Sequence, residues 1–376
     1  MSNTNTAKYR IGMVGCGRQG TQHARGFTLH PLTEVVAIAD TDAENLELAC
    51  QRFNATGYSN SQEMFANEDL DIADCVLPVQ FNPDQVVAAA EAGVKGVVSE
   101  KPIAAVLSDA DRMVEGCASR GIPWQGGNVD RCISQLWVAR RLIEAGEIGE
   151  VQSINLYEPI MQGGCQGLSV VQMFAADADA SWVTGWTNGD PFGEGDDDYQ
   201  GIGGYIRFSN GIECFVHAKR GAAKGLEVIG TQGLYATDKR SNHHFFKLDT
   251  GSGRPGIFGL KEDEPIQFEP FRSHAEGGFD EDGWLYPGDR LMGGVQSIVD
   301  SLEEGIEPRC SGNTHRKSLE ISIAMRESAR QNQAQVKLPL EDRSLTLMPQ
   351  RYRWMNKKEL YGKEWYAEQI SRATRD

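Results

Sequence analysis

The sequence predicts an α/β protein whose first 127 residues form a doubly wound, parallel sheet. Three observations carry this expectation. Strand-like and helix-like segments alternate from Tyr9 to Gly121. A glycine-rich turn, Gly15-Cys16-Gly17-Arg18-Gln19-Gly20, directly follows an apolar strand. A second short strand, Gly96 to Ser99, ends on Glu100-Lys101-Pro102.

In order, Tyr9 to Val14 reads as a buried strand, and a helix follows from about Gln19 to Leu29. Glu34 to Ala39 (EVVAIA) is the next strand, closed by Asp40. Asp42 to Phe53 is helical, Ala73 to Leu77 strand-like, and Pro83 to Ala92 helical up to Gly93. Val94 to Ser99 is strand again. Ser108 is a plausible N-cap for a helix that stops at Gly121.

The glycine turn has the G-x-G-x-x-G spacing of a dinucleotide site, with a strand before it and a helix after it. Gly15 permits the tight turn, Gly17 lets backbone approach a pyrophosphate, and Gly20 lets helix and strand pack closely. The phosphates then meet the helix N-terminus, beside Arg18 and Gln19. Asp40 lies twenty residues after Gly20, where a carboxylate accepts from a ribose diol and repels a 2′-phosphate. This favours NAD over NADP. Arg18, close enough to reach a 2′-phosphate, is the counterweight, and helix capping is the other reading of Asp40. Lys101, at a strand end of the same sheet, falls where a nicotinamide ring would lie, so hydride and proton transfer at one substrate carbon is the expected chemistry.

The bulk numbers set the class. At 376 residues the chain can bury two domain cores. Its 37 basic and 53 acidic residues leave a formal charge of −16, which argues against nucleic acid and anionic membranes as partners. Eight cysteines without a C-x-x-C pair fit reduced thiols in a cytoplasm. The N-terminus carries no apolar signal-peptide core, and no apolar run approaches the ~18 residues of a membrane span. The acidic run Glu194 to Asp198 reads as a solvated loop, and His243-His244 lacks ligand spacing, so no metal site is expected. Arg240 to Asp289 reads as a long excursion whose aromatics cover a substrate mouth or a subunit interface.

At Glu100-Lys101-Pro102 the sequence resembles the glucose–fructose oxidoreductase / inositol dehydrogenase family (Gfo/Idh/MocA). The stretch from Asp74 to Pro102, the segment at 126–154, Gly230-Thr231-Gln232-Gly233, and Ser318 to Pro339 resemble further family pieces in their usual order. The resemblance implies a Rossmann domain at 1–127 and, at 128–376, an α/β domain with an open, mostly antiparallel sheet. It implies a homo-oligomer, a dimer or tetramer, whose interface that sheet often builds. It also implies sugar, cyclitol or polyol substrates, with Lys101 as the catalytic lysine and Glu100 orienting it or contacting the cofactor.

One motif departs from the family. Its G-G-x-x-x-D-x-G-x-H becomes Gly163 to Gln172, with Leu168 in the aspartate's place and Gln172 in the histidine's. Gln172 can position a substrate but cannot shuttle a proton near neutral pH. No histidine lies between positions 31 and 216. His217, on the predicted strand Glu213 to Ala218, and Tyr157, at the end of the preceding strand Ile154 to Tyr157, are therefore the replacement candidates, beside the alternative that both are packing residues. Asn128 and Arg131 are candidate substrate contacts, against the reading that Asp130 and Arg131 cap the next helix. The expected activity is oxidation of a ring hydroxyl. The alternatives are glycoside cleavage by transient oxidation and elimination, and a non-catalytic nucleotide- or sugar-sensing regulator.

Overall fold

The computed structural model describes residues 8–127, 129–160, 164–192, 201–219, 221, 225–239, 242–249, 259–262, 289–347, 360–365 and 367–368. The chain divides into two compact units, and among the described residues it passes between them at Cys132/Ile133 and Arg316/Lys317. The chain thus crosses more than once, where a single boundary near 127 was expected.

The first unit alternates strictly. It runs β1 (Tyr9–Val14), α1 (Arg18–Leu29), β2 (Thr33–Ala39), α2 (Ala43–Phe53), β3 (Thr56–Tyr58), α3 (Ser61–Asn67) and β4 (Ile72–Cys75). It continues with α4 (Asn82–Glu91), β5 (Gly96–Ser99), α5 (Leu107–Ala118) and β6 (Trp124–Gly126). The sheet order is β3-β2-β1-β4-β5-β6, and every neighbouring pair is parallel. This is the Rossmann order, with its switch point between β1 and β4.

Local chemistry sets the helix ends. Asp42 caps α2 by accepting from Asn45 N at 3.1 Å. Asn60 caps α3 by accepting from Glu63 N at 2.8 Å. Ser108 does not cap α5. That helix starts two residues earlier than a Ser108 cap would place it, after Val106, and has no side-chain cap. Its end is as expected, with Gly121 just beyond at φ +67°.

The second unit holds α6 (Ser134–Glu144), β7 (Val151–Leu156), α7 (Gly167–Phe174), β8 (Ala180–Trp186), β9 (Gly203–Phe208) and β10 (Glu213–Val216). It adds β11 (Leu226–Gly230), β12 (Gly233–Thr237), β13 (His243–Asp249) and β14 (Gly259–Glu262). Its nine-stranded sheet runs β14-β13-β12-β11-β7-β10-β9-β8-β15, where β15 is Val336–Lys337. Only β7 and β10 pair in parallel. Two further helices are α8 (Asp289–Glu304) and α9 (Gly312–Arg330). The second crossing falls within the first turns of α9.

The Rossmann core gathers Ile11, Met13, Phe27, Ile38, Ile72 and Val98, and Val295 and Ile298 of α8 join it. Burying each such side chain fully is worth about 1.5–3 kcal/mol. A chain segment nearly two hundred residues downstream therefore completes the cofactor domain. Of the aromatics in the expected excursion, Phe258, Trp284 and Tyr286 lie outside the described residues, as does the acidic run at 194–198.

Candidate active site

The turn after β1 is built by steric necessity. Gly15 sits at φ +91°, and a Cβ there would lie 2.4 Å from Val76 O. A Cβ on Gly20 would lie 2.1 Å from Gly15 O. α1 begins after Gly17 with no side-chain cap and no acid in its first turn, so its amide groups and positive dipole end stay available to an anion. Asp40 Oδ2 accepts from Cys16 N at 2.8 Å, and Oδ1 accepts from Asp42 N at 2.8 Å. The acid thus fastens the glycine loop, and each oxygen keeps lone-pair capacity for a ribose hydroxyl. The residues fit an NAD-type dinucleotide: Gly15, Gly17, Arg18, Gln19 and Gly20 at the pyrophosphate, Asp40 at the ribose.

The end of β5 holds the second motif. Glu100 N donates to Cys75 O at 2.9 Å, extending the strand pairing by one residue. Glu100 Oε2 accepts from Lys101 N at 2.8 Å, and Oε1 lies 3.2 Å from Lys101 Nζ. Gln19 Nε2 donates to the same Oε1 at 3.4 Å, so one carboxylate links the glycine loop to the lysine. Asn82 Nδ2 donates to the carbonyls of Glu100 and Pro102, at 3.1 and 3.3 Å. The Lys101–Pro102 peptide is cis. Lys101 is 8% exposed and Glu100 4%.

Residues 9–125 match the GFO_IDH_MocA family model, described as an oxidoreductase family with an NAD-binding Rossmann fold. Over this stretch, less than half of its length, the chain is similar to the Gfo/Idh/MocA family. D-apiose dehydrogenase of Paraburkholderia graminis is 29% identical over 147 residues, 39% of each chain. A 2,7-anhydro-N-acetylneuraminate hydratase of Escherichia coli is 28% identical over 144 residues, 38% of each chain. The sequence match thus spans about 39% of the length of such curated relatives. A solved levoglucosan dehydrogenase with NADH and levoglucosan has the same fold, with a TM-score of 0.67 at 18% identity, over 89% of this chain and 100% of that one.

Two buried histidines flank the Glu100–Lys101 pair, and sequence reasoning singled out neither. His23, on α1, holds Asp74 of β4 at 2.8 Å (Nδ1 to Oδ2), with both side chains wholly buried. Burial pulls the His23 imidazole down, but the charge and hydrogen bond of Asp74 outweigh it, and His23 is raised. His315, in the first turn of α9, packs against Gly126 so closely that a Cβ there would meet its Nε2. Burial lowers His315 to about 4. The one available signal was the glycine pair at 126–127, which leaves room for both rings.

The other candidates sort differently. Asn128 lies outside the described residues. Arg131 is 3% exposed, and its Nε donates to Arg309 O. Asp130 accepts from Arg290 Nη1 of α8 at 3.0 Å. Both therefore fasten the turn at 130–132 to the returning segment. Gln172 is 2% exposed on the fully buried α7, and its Nε2 donates to Ser318 Oγ at 2.6 Å. Tyr157 donates to Glu227 Oε2 at 2.5 Å, and burial followed by that bond raises its phenol to about 12.

His217 packs against Tyr157 with centroids 4.8 Å apart and ring planes tilted by 36°, and meets Phe215 edge-on at 4.8 Å. Trp186 lies 5.8 Å from Phe215, and Trp182 lies 5.2 Å from Tyr205. Strand alternation explains this row. Ile154, Leu156, Cys214, Val216 and Ile206 point into the core. The residues between them turn to the other face of the sheet.

Proposed function

We propose that this chain is an NAD-dependent oxidoreductase that oxidises a ring hydroxyl of a sugar, glycoside or cyclitol to a ketone, with Lys101 accepting the hydroxyl proton. The observation that carries this reading is the buried Lys101, held by Glu100 while Gln19 ties that same carboxylate to the glycine loop. NAD, when bound, supplies the hydride acceptor. The glycine turn and α1 would hold the pyrophosphate, Asp40 the ribose, and Glu100 the ammonium of Lys101 in place. The likeness to apiose and inositol dehydrogenases supports the substrate class. The test is a polyol and glycoside panel followed by nicotinamide absorbance. Wild type turns over at least one member, and Lys101→Ala loses about 10²–10⁴-fold in rate. Full turnover by that variant removes Lys101 from the mechanism, and NAD binding without turnover of any member supports the regulator reading instead.

His217 and Tyr157 are proposed as the second proton-transfer group, with Asn128, Arg131 and Gln172 as substrate contacts. The aromatic row gives His217 and Tyr157 a competing role in packing. A His217→Ala enzyme with an unchanged pH–rate profile assigns that histidine to the row.

The likeness to a hydratase favours a second reading, redox-neutral cleavage by transient oxidation and elimination. Product formed without net NADH, by protein purified with NAD, decides for it. The row of Trp182, Tyr205, Trp186, Phe215 and His217 supports a homo-oligomer, a dimer or tetramer, built on the sheet face. No helix among the described residues is long and apolar enough to cross a membrane. None of the eight cysteines forms a disulfide among the described residues, and a cytoplasmic setting is proposed on that chemistry.

A further inference from the structure

The His23–Asp74 pair has no part in the chemistry above, yet His23 lies beside the carboxylate that holds Lys101. A Cβ placed on Gly127 would be 2.7 Å from His23 Cε1, 3.0 Å from Ser99 O and 3.3 Å from Glu100 Oε2. One missing side chain thus lets the imidazole edge stand beside the carboxylate that holds Lys101. Two polar atoms of the pair, His23 Nε2 and Asp74 Oδ1, have no hydrogen-bond partner among the described residues although both are buried. A fully buried polar pair with unsatisfied atoms costs stability and calls for a reason. Packing alone is a weak one, because an apolar pair would fill the same space without that cost.

We propose that His23, charged through its bond to Asp74, is a positioning residue for Lys101 that acts through Glu100. The proposal rests on the reading of Lys101 as the proton acceptor. A cation behind Glu100 divides that carboxylate's attraction between imidazolium and ammonium. Lys101 is then held in place without being locked in its charged form, which a base must be able to leave. The other charged or titratable groups facing this cluster include Arg131, His315 and Cys75, whose thiol burial pushes up so that it stays neutral. Burial keeps His315 neutral near neutral pH, and Arg131 is spent on Arg309 O. His23 is therefore the titrating cation that this cluster adds to Lys101.

The experiment is the pH dependence of kcat/KM for alcohol oxidation, with NAD affinity and thermal unfolding measured on the same protein. In His23→Gln the cation is gone, and the acid limb moves up by about one pH unit while NAD affinity stays within about twofold. Asp74→Asn is isosteric and guards against a His23 variant that fails to fold. Without the carboxylate the buried His23 goes neutral, and the acid limb moves in the same direction. A folded, NAD-binding His23→Gln or Asp74→Asn enzyme with an unmoved acid limb overturns the proposal. A loss of turnover with the limb in place, in both variants, overturns it as well and assigns the pair to packing. Failure of the Lys101 reading is seen separately, as turnover retained by Lys101→Ala with the acid limb intact.

Discussion

The end of β5 and the outer face of the second sheet both collect chemistry-bearing side chains, but they hold them in opposite ways. Around Lys101 the named polar groups are tied down. Glu100 takes Lys101 and Gln19, Asn82 takes two carbonyls, and Asp74 takes His23. On the sheet face the rings of Trp186, Phe215, His217 and Tyr157 touch one another, and Phe215 remains 39% exposed. The first arrangement suits a reaction, where geometry must be held to fractions of an ångström. The second suits a surface, where apolar area outweighs exact bonding. That difference, more than residue type, separates Lys101 from His217 as a catalytic candidate.

The comparison breaks most visibly at Lys101. Its Ala variant should lose the 10²–10⁴-fold in rate already stated while keeping NAD, because the lysine is not part of the glycine loop. Next in size is Gly20→Ala. Its Cβ must push against Gly15 O, a backbone atom 2.1 Å away. We expect about 1–3 kcal/mol of lost stability by urea unfolding, and at least tenfold weaker NAD binding by calorimetry. A Gly20→Ala protein with native affinity would mean that the loop is not the pyrophosphate site.

The two buried histidines sharpen the contrast through pH. His315 has a folded-state pKa of about 4, below its ordinary 6.5, so the unfolded chain binds the proton first. Its contribution is fully present above about pH 6.5 and is lost as pH falls toward 4, about 3 kcal/mol at most. His23 is raised above 6.5, so its contribution is present below that value and is lost as pH rises through its folded pKa. The expected outcome is a stability maximum near neutrality. Urea midpoints across pH check it, and His315→Asn should flatten the acid side only. A fall of the same steepness in that variant would assign the acid loss to other groups.

Local signals account for what the sequence made legible. The left-handed Gly15, the β1 and β2 runs, Asp40 and Glu100-Lys101-Pro102 are short-range features, and each stands where expected. β3, α3 and β6 were missed because strands of three residues and a helix of seven carry too little periodicity. Asp42 caps α2 while Asp40 fastens the glycine loop, a division that two nearby acids leave open until the backbone is traced. The least legible part is the cluster behind Lys101. His23 meets Asp74 across 51 positions, and Arg131 meets residue 309 across 178. No window of sequence contains such pairs, and α8 joins the Rossmann core for the same reason.

The smallest expected effect tests the sheet face. Phe215 sits opposite Tyr205 on β9 and Asn155 on β7, on the face turned away from the core residues Cys214 and Val216. Replacing Phe215 by Ser removes apolar area from an exposed position and leaves no cavity behind it. Stability of the separated chain should therefore change by no more than about 0.5 kcal/mol. If the row is an interface between copies, the same substitution removes a ring from its centre, where a few aromatic side chains carry most of the binding energy. Light scattering on wild type and Phe215→Ser, over a range of concentration, separates the two effects. A lower mass with unchanged thermal unfolding of the monomer makes the row an assembly surface. An unchanged mass leaves the rings as ordinary sheet surface, and returns His217 and Tyr157 to the pH–rate test as catalytic candidates free of a competing structural role.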